Sequence, residues 1–221
     1  MDDAEFDRAL IAAAFDLAAE KGWQRLSIAE AARRAGLALD RARLRFPGRG
    51  VLLLRFGRMA DQAALAQAEL EGPPRDRLFD LLMRRIDTLQ AHRPGILALL
   101  GALPANPGLA LFLTLANLRS MAWMLEAAGV SSTGPAGRLR AKGLLGVWLW
   151  TLRAWQRDTS ADLAATMAAL DRALGEAERW AGRLPGSGGA RPAKAAEPPE
   201  PPEPEPPPVA SGPLPEPPLV M

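Results

Sequence analysis

Arginine is concentrated in one short stretch of this sequence, and a guanidinium group can bind phosphate or the edge of a guanine base. Nine arginines lie between Arg25 and Arg58 against two acidic residues, Glu30 and Asp40, so this segment carries a net charge of +7. The whole chain carries only +2. This asymmetry favours an anionic partner such as nucleic acid, although a run of charge is also typical of a solvated helix face.

Few residues in the chain could carry out catalysis or bind a metal ion. The sequence has one histidine, His92, and no cysteine. The lack of cysteine excludes disulfides, thiolate metal sites and cysteine nucleophiles, and a single histidine makes a zinc site or a Ser-His-Asp triad unattractive. His92 lies at a predicted helix end, where we expect it to cap carbonyl groups or face water. We therefore predict that the protein is not an enzyme and uses no cofactor and no metal ion.

The composition predicts an all-α fold. Hydrophobic residues make up 48% of the chain and tyrosine is absent, while the dominant alanine and leucine lose little side-chain entropy in a helix. The acidic, amphipathic start is unlike an export signal. No run reaches the ~20 apolar residues that a membrane span needs. We expect a soluble, cytoplasmic protein without stable membrane insertion.

Three short helices are predicted in the first 48 residues, at 4–21, 27–34 and 38–45. Ser27 is the expected N-cap of the second helix, with Glu30 completing a capping box. Gly36 supplies the left-handed turn between the second and third helices. Two short helices joined by Ala35-Gly36-Leu37 are typical of a helix-turn-helix.

Six longer helices are predicted after that, at residues 50–70, 75–91, 94–103, 107–128, 135–157 and 160–180, the last of them capped by Ser160. We therefore expect about nine helices, with residues 1–48 forming a helix-turn-helix domain and residues 49–183 a helical effector-binding and dimerisation domain. Residues 184–221 are rich in Pro and Glu and are predicted to be disordered. That tail is either a solubilising appendage or a ligand for a proline-recognition module.

The N-terminal helices resemble the DNA-binding domain of TetR-type transcriptional regulators. The run from Ser27 to Leu37 is similar to the family's second helix and turn, and residues 12–23 are similar to its first helix and exit. Phe46-Pro47 followed by Leu52-Leu53 resembles the signature between helices three and four. Together these matches cover about residues 8–54.

The resemblance implies a two-fold dimer with helix three of each subunit in a major groove of double-stranded DNA. Carried over position by position, Ser27 would contact a phosphate, and Arg49 stands where the family usually has a phosphate-gripping lysine. Leu37, Ala42 and Phe46 would face the domain core. The implied DNA-binding residues are Ser27, Arg33, Leu39, Asp40, Arg41, Arg43, Leu44 and Arg49.

Helix three departs from the family pattern at several positions. Ala38 replaces a small hydroxyl residue, so the helix lacks its usual cap; Asp40-Arg41 replaces a Gly-Thr pair, and Arg43 replaces an aromatic residue. Arg41 and Arg43 could bind guanine edges or phosphates, whereas a carboxylate at Asp40 is unfavourable beside phosphates. A helix-turn-helix kept as a scaffold without operator binding is therefore the alternative.

A second resemblance gives that alternative a concrete form. Residues 142–174 are similar to the last helices of the TetR-fold lipid-binding accessory proteins of ubiquinone biosynthesis, including a Trp-x-x-Asp-x-Ser connector that runs from Trp155 to Ser160. Residues 39–47 are also similar to the third helix of those proteins. This resemblance implies lipid or quinone binding without operator binding.

The later helices could hold a ligand and form a dimer. The family resemblance implies a pocket for an apolar or amphipathic effector, although the same residues could simply be core. The helix that starts at Pro135 is apolar on nearly all sides and so must be covered on nearly all sides. One face can pack inside its own subunit, and the other needs a second subunit, a ligand, or a membrane or isoprenoid. The predicted pocket residues are Met83, Ile86, Phe112, Asn117, Met121 and Met124, and the predicted homodimer interface contains Trp148, Leu152, Trp155 and Met167.

These features predict a TetR-like repressor that reads a palindromic operator as a homodimer and is relieved by a small-molecule effector. Coupling would run through the helix at residues 50–70, because effector binding changes the separation of the two recognition helices. The first alternative is the lipid- or quinone-binding accessory protein. The second is a structural interaction protein that uses the Pro-rich tail.

Overall fold

The computed structural model describes residues 1–66 and 71–181. Within these residues it contains helices and no strand, which confirms the predicted all-α, TetR-like class. A 3-10 turn at Trp23–Arg25, which the sequence did not indicate, follows the first helix. The helices are α1 (Asp3–Lys21), α2 (Ile28–Arg34), α3 (Leu39–Arg45), α4 (Arg49–Leu65), α5 (Pro74–Gln90), α6 (Arg93–Ala102), α7 (Pro107–Ala127), α8 (Gly134–Arg157) and α9 (Ala164–Ala181). The predicted disordered tail lies outside the described residues.

The head formed by α1, α2 and α3 has a capping box that is only half formed. The Ser27 hydroxyl oxygen accepts a hydrogen bond from the Glu30 N–H at 3.4 Å, as predicted. The reverse bond is missing because the Glu30 carboxylate pairs with Lys21 of α1 instead. Gly36 adopts a φ of 65°, the left-handed conformation that the turn requires. Ala38 is the N-cap residue of helix α3 and provides no side-chain cap, as expected.

Two helix ends differ from the predictions. Helix α4 ends at Leu65, short of residue 70, because Ala66 turns to an extended conformation with ψ 132°. Helix α9 begins at Ala164 and Ser160 does not cap it. Instead the buried Asp158 carboxylate accepts hydrogen bonds from the N–H and hydroxyl groups of both Ser160 and Thr166. The connector similar to that of the accessory proteins therefore has a structural role between α8 and α9.

The head packs on the body where α1 crosses α6. Gly95 lies at the crossing point, and a Cβ placed on it would come within 2.2 Å of the carbonyl oxygen of Phe15. Atoms at that distance overlap severely, so only glycine allows this approach. Gly95 thus sets the distance between the head and the rest of the described chain.

His92 fills the same junction. Its half-buried ring stacks on Phe15 with ring centroids 5.4 Å apart and meets Phe56 of α4 edge-on at 5.7 Å. The packing of the ring against two phenylalanines is a role that the sequence did not predict. Burial lowers the pKa of His92, and the nearby Asp16 carboxylate only partly opposes that shift.

Helix α7 is the one described helix that is long and apolar enough to span a membrane, by length and composition alone. Only 22% of its most apolar stretch is buried within the protomer. Leu111, Leu115 and Trp123 are each more than half exposed along it. It is not an uninterrupted apolar run, because its apolar sequence is interrupted by Asn117, Arg119 and Glu126.

Replacing Gly95 with alanine should destabilise the protein by about 1–3 kcal/mol, because the added methyl group forces α1 and α6 apart. Gly101→Ala is the matched control on the same helix, since a Cβ there meets no atom within 4 Å. That control should be neutral or stabilise by up to about 1 kcal/mol. Urea unfolding followed by circular dichroism measures both, and equal effects would contradict the tight crossing.

The lowered pKa of His92 predicts a loss of stability in mild acid. The unfolded chain binds the proton more tightly than the folded one, so stability is complete above the unfolded pKa of about 6.5 and falls as the pH drops below it. The fall in Tm between pH 7.5 and pH 5.5 should be smaller for His92→Phe than for the wild type. Differential scanning calorimetry tests this, and an identical fall in both proteins would show that His92 is not responsible.

Candidate nucleic-acid interface and internal polar cluster

The outer face of α3 consists of Leu39, Asp40, Arg43 and Leu44, which are all exposed. Leu44 is the more exposed of the two leucines, with 83% of its surface accessible to solvent. Arg43 donates a hydrogen bond to the carbonyl oxygen of Pro47 at 3.0 Å, so its guanidinium is held near the C-terminal end of the helix. These four predicted residues form one continuous surface.

Arg41 is not part of that face. Because each helical residue advances about 100°, it points to the flank of α3 that meets α1. Its guanidinium donates to the Asp3 carboxylate at 2.5 Å and lies 4.5 Å from the centre of the Phe6 ring. The prediction that Arg41 is an exposed reading residue is therefore corrected: the side chain is half buried and ion-paired.

Arg45 lies one turn further along the same flank and was not singled out in the sequence. It pairs with Asp3 and donates to Asp7 at 2.6 Å, and Arg55 of α4 donates to the same Asp7 carboxylate at 2.7 Å. The hydrogen bond with Asp7 is the main reason that the pKa of Arg45 is raised. The hydrogen bond from Arg41 likewise lowers the pKa of Asp3. We call Asp3, Asp7, Arg41, Arg45 and Arg55 the head ion-pair network.

The positive charge of the arginine-rich segment is largely balanced inside the head. Residues 1–48 contain eight acidic and eight basic side chains, and residues 1–58, which include the whole arginine-rich segment, contain eight acidic and eleven basic ones, a net charge of +3 rather than +7. Besides the network, Arg34 of α2 makes a two-pronged pair with Glu20 of α1, at 2.6 and 2.5 Å. A net charge counted over residues 25–58 therefore overstates the positive potential of this surface, because α1 supplies the opposing charges.

The remaining predicted DNA contacts flank the outer face of α3. Ser27 and Arg33 are exposed on α2 and its N-cap. Arg49, at the start of α4, donates from one nitrogen to the carbonyl oxygens of Trp23 and Gln24, both at 3.0 Å. Arg49 thus closes the C-terminal end of the 3-10 turn, and a phosphate contact from it stays a prediction.

The predicted pocket residues divide into two groups. Ile86, Met121 and Met124 are fully buried, while Met83, Phe112 and Asn117 are partly buried. Asn117 makes a polar contact inside the body: its side-chain oxygen accepts from Arg85 of α5 at 3.1 Å. Whether these residues line a ligand pocket stays a prediction.

Arg85 is the centre of an internal polar cluster that was not predicted from the sequence. Only 4% of the residue is exposed, and burial lowers the pKa of its guanidinium against the opposing charge of Asp61. Its Nε lies 3.2 Å from the Asp61 carboxylate of α4, and the guanidinium carbon lies 4.7 Å from the centre of the Trp148 ring of α8. Ser120 of α7 donates to Asp61 at 2.6 Å. The internal polar cluster is thus Asp61, Arg85, Asn117, Ser120 and Trp148.

Two of the predicted interface residues belong to the core of the protomer. Trp148 and Trp155 are 1% and 0% exposed, so neither can contact a second subunit, and this part of the prediction is wrong. Trp155 donates from its indole nitrogen to Gln90 at 2.8 Å. Leu152 and Met167 are partly buried and remain available at the edge of such an interface.

The exposed face of α8 carries other large apolar side chains. Leu149 and Trp150 are 49% and 57% exposed, and with Leu100 and Leu103 they line an open groove of about 480 Å³. Gly143 and Gly146 lie exposed on the same side of α8, with no atom within 4 Å of a Cβ built on either. This face is rich in apolar and small residues, has Arg153 and Gln156 beside the groove, and is uncovered in the described part of the protomer.

Comparison with known proteins identifies the fold. No protein-family model matches the chain, and no curated protein sequence matches it. Solved structures do: a TetR transcriptional regulator from Nitrosomonas europaea is 25% identical with a TM-score of 0.65, over 79% of this chain and 99% of that one.

Two further solved structures are similar at 20% identity and a TM-score of 0.54. One is a TetR transcriptional regulator from a Rhodococcus species, matched over 80% of this chain and 97% of that one. The other is a TetR-family regulator from Streptomyces coelicolor, matched over 82% of each chain. The resemblance to TetR-type regulators is confirmed, whereas the similarity to the ubiquinone accessory proteins stays a prediction.

Replacing Asp7 with asparagine should cost about 1–3 kcal/mol of stability, because it leaves Arg45 and Arg55 without their shared, partly buried carboxylate. Asp40→Asn, on the exposed outer face of α3, is the control and should change stability little. Urea unfolding compares the two variants. If Asp7→Asn is as stable as Asp40→Asn, the head ion-pair network does not hold α1, α3 and α4 together.

Proposed function

We propose that this protein is a DNA-binding transcriptional regulator of the TetR type, which binds a palindromic operator as a homodimer. The observation that carries the proposal is the exposed outer face of α3, which stands on a helix-turn-helix within a fold that matches a TetR regulator at a TM-score of 0.65. In such a dimer α3 of each subunit enters a major groove, with half-sites about 34–36 Å apart.

Arg43 is the main candidate for reading a base. It is the arginine on the outer face of α3, and an arginine can donate two hydrogen bonds to guanine. Leu39 and Leu44 offer apolar contact to a thymine methyl group, and Asp40 can accept from a cytosine amino group. Ser27, Arg33 and Arg49 flank this surface and would contact phosphates.

A homodimer would be formed through the uncovered face of α8 together with α9. Leu149 and Trp150 supply apolar area, and Gly143 and Gly146 let a second helix approach closely. This face replaces the predicted Trp148 and Trp155, while Leu152 and Met167 would lie at its margin.

The regulator is proposed to act as a repressor that an apolar or amphipathic small molecule relieves. Helix α4 joins the two parts, since Arg55 binds the head ion-pair network and Asp61, six residues later, binds the internal polar cluster. A ligand that moves α4 would change the spacing of the two α3 helices, and a two-site operator tolerates little misfit.

Arg43→Ala should weaken binding to the DNA upstream of the protein's own gene by roughly 5- to 100-fold, as expected for an arginine that contacts a base. Arg138→Ala, exposed on α8, is the matched control and should bind as the wild type does. Arg41→Ala should have a smaller direct effect on DNA affinity, because the Arg41 side chain is ion-paired with Asp3. Fluorescence anisotropy with labelled upstream DNA measures all three; unchanged affinity of Arg43→Ala would refute the proposed reading surface.

Trp150→Glu should convert the dimer to a monomer, because it places an unpaired charge in an apolar interface. Trp123→Glu is the control, since Trp123 is equally exposed but lies on α7. Size-exclusion chromatography with light scattering measures the molar mass of each variant in solution. A dimer that survives Trp150→Glu and is lost in Trp123→Glu would place the interface on α7 instead.

The exposed apolar side of α7 favours the lipid- or quinone-binding accessory protein as the second candidate. Leu111, Leu115 and Trp123 could contact an acyl or isoprenoid chain or a membrane surface. Mass spectrometry of organic extracts of the purified protein tests this candidate. Co-purified quinone or phospholipid, together with equal binding to upstream and random DNA, would replace the regulator proposal.

A further inference from the structure

Four buried polar atoms of the internal polar cluster have no hydrogen-bond partner among the described residues. Two of them, Nε of Arg85 and Oδ1 of Asp61, face each other as an ion pair at 3.2 Å, and the other two are Nη1 of Arg85 and the indole nitrogen of Trp148. A buried donor without an acceptor costs about 1–3 kcal/mol, and buried polar groups in native proteins are almost always paired. Nη1 of Arg85 and the Trp148 indole nitrogen are therefore two unpaired donors in one region, which a group with acceptor atoms would satisfy.

The two donors are close together, and one of them belongs to the positively charged guanidinium of Arg85. The Arg85 guanidinium lies over the Trp148 ring, 4.7 Å from the ring centre, so both N–H groups belong to one small region. A carboxylate has two oxygens that each accept hydrogen bonds, and it is the group that a guanidinium binds most strongly. A neutral acceptor would make a weaker hydrogen bond with the charged guanidinium of Arg85.

The apolar side of the same region can adapt to a ligand. Asn117, Ser120, Met121 and Met124 follow the i, i+3, i+4, i+7 spacing that places residues on one face of α7. Both methionines are fully buried, and methionine is unbranched and changes shape at little cost. The hydrocarbon part of a ligand could pack against that face while its carboxylate binds Arg85.

We propose that the internal polar cluster is a binding site for the carboxylate of an amphiphilic small molecule. Arg85 Nη1 and the Trp148 indole N–H donate to the two carboxylate oxygens, and the apolar part of the molecule packs against Met121 and Met124. This assignment deepens the proposed function by naming the chemical class of the effector, and its regulatory meaning rests on that function.

Asp61 is the internal competitor for this site. Its side chain is 19% exposed whereas that of Arg85 is 5% exposed, so Asp61 can turn toward water and Arg85 cannot. A bound carboxylate replaces Asp61 as the counter-charge of Arg85, and the net buried charge stays the same. Asp61 then releases Ser120 of α7, which loosens α4 from α5 and α7.

Isothermal titration calorimetry of the full-length protein without DNA tests the site. The probes are carboxylates from acetate to dodecanoate, each compared with the alcohol of equal length. We expect the longer carboxylates to bind at least tenfold more tightly than their alcohols, as for a hydrogen-bonded charge pair. Arg85→Gln should bind both equally, and Arg119→Gln, exposed on α7, should behave as the wild type.

Asp61→Asn gives a test of opposite sign. Removing the competitor should tighten carboxylate binding and increase the rise in Tm that the carboxylate produces, and this result does not depend on the stability of Arg85→Gln. The proposal is overturned if no carboxylate binds more tightly than its alcohol, if Arg85→Gln retains the preference, or if Asp61→Asn binds more weakly. Because no DNA is present, failure here leaves the proposed DNA binding untouched, and failure of DNA binding leaves this result intact.

Discussion

The head ion-pair network determines which side of α3 is presented to solvent. Asp3 and Asp7 lie one turn apart on α1, and Arg41 and Arg45 lie one turn apart on α3. The two acidic residues therefore form ion pairs with the two basic residues where the helices face each other. With that flank occupied, only the outer face of α3 remains open. An operator-binding surface built on this protein must therefore depend on Arg43 and its exposed neighbours rather than on the whole arginine-rich segment.

Helix α1 transmits that constraint to the body. On one side it binds α3 and α4 through carboxylates, and on another it lies against Gly95 of α6 at a distance that no side chain allows. The head therefore cannot shift on α6 without opening the packed junction of Phe15, Phe56 and His92. Helix α4 is the route by which a change at Arg85 reaches the head, because Asp61 and Arg55 lie on it six residues apart.

The sequence predicted the features that depend on neighbouring residues and missed those that depend on how helices face one another. Ser27 and Gly36 act locally, and both were predicted at the right positions. The rotation of Arg41 toward α1 depends on the contact between two helices, although the four-residue spacing of Asp3 and Asp7 was a usable signal. The adjacent residues Arg84 and Arg85 look alike in the sequence, and which of them is buried depends on the helices that pack against α5. Helix α8 is apolar on most sides, so periodicity could not distinguish its buried Trp148 and Trp155 from its exposed Leu149 and Trp150.

The central claim is that a head with balanced charge still binds a specific DNA sequence through α3. The most direct measurement is the affinity for the DNA upstream of its own gene, relative to random DNA of equal length, across a range of salt concentrations. The proposed regulator should prefer the upstream DNA by a factor of about 10³ or more at physiological salt, and both affinities should fall steeply as salt rises because phosphate contacts release counterions. Equal affinity for the two DNAs at every salt concentration would contradict the claim.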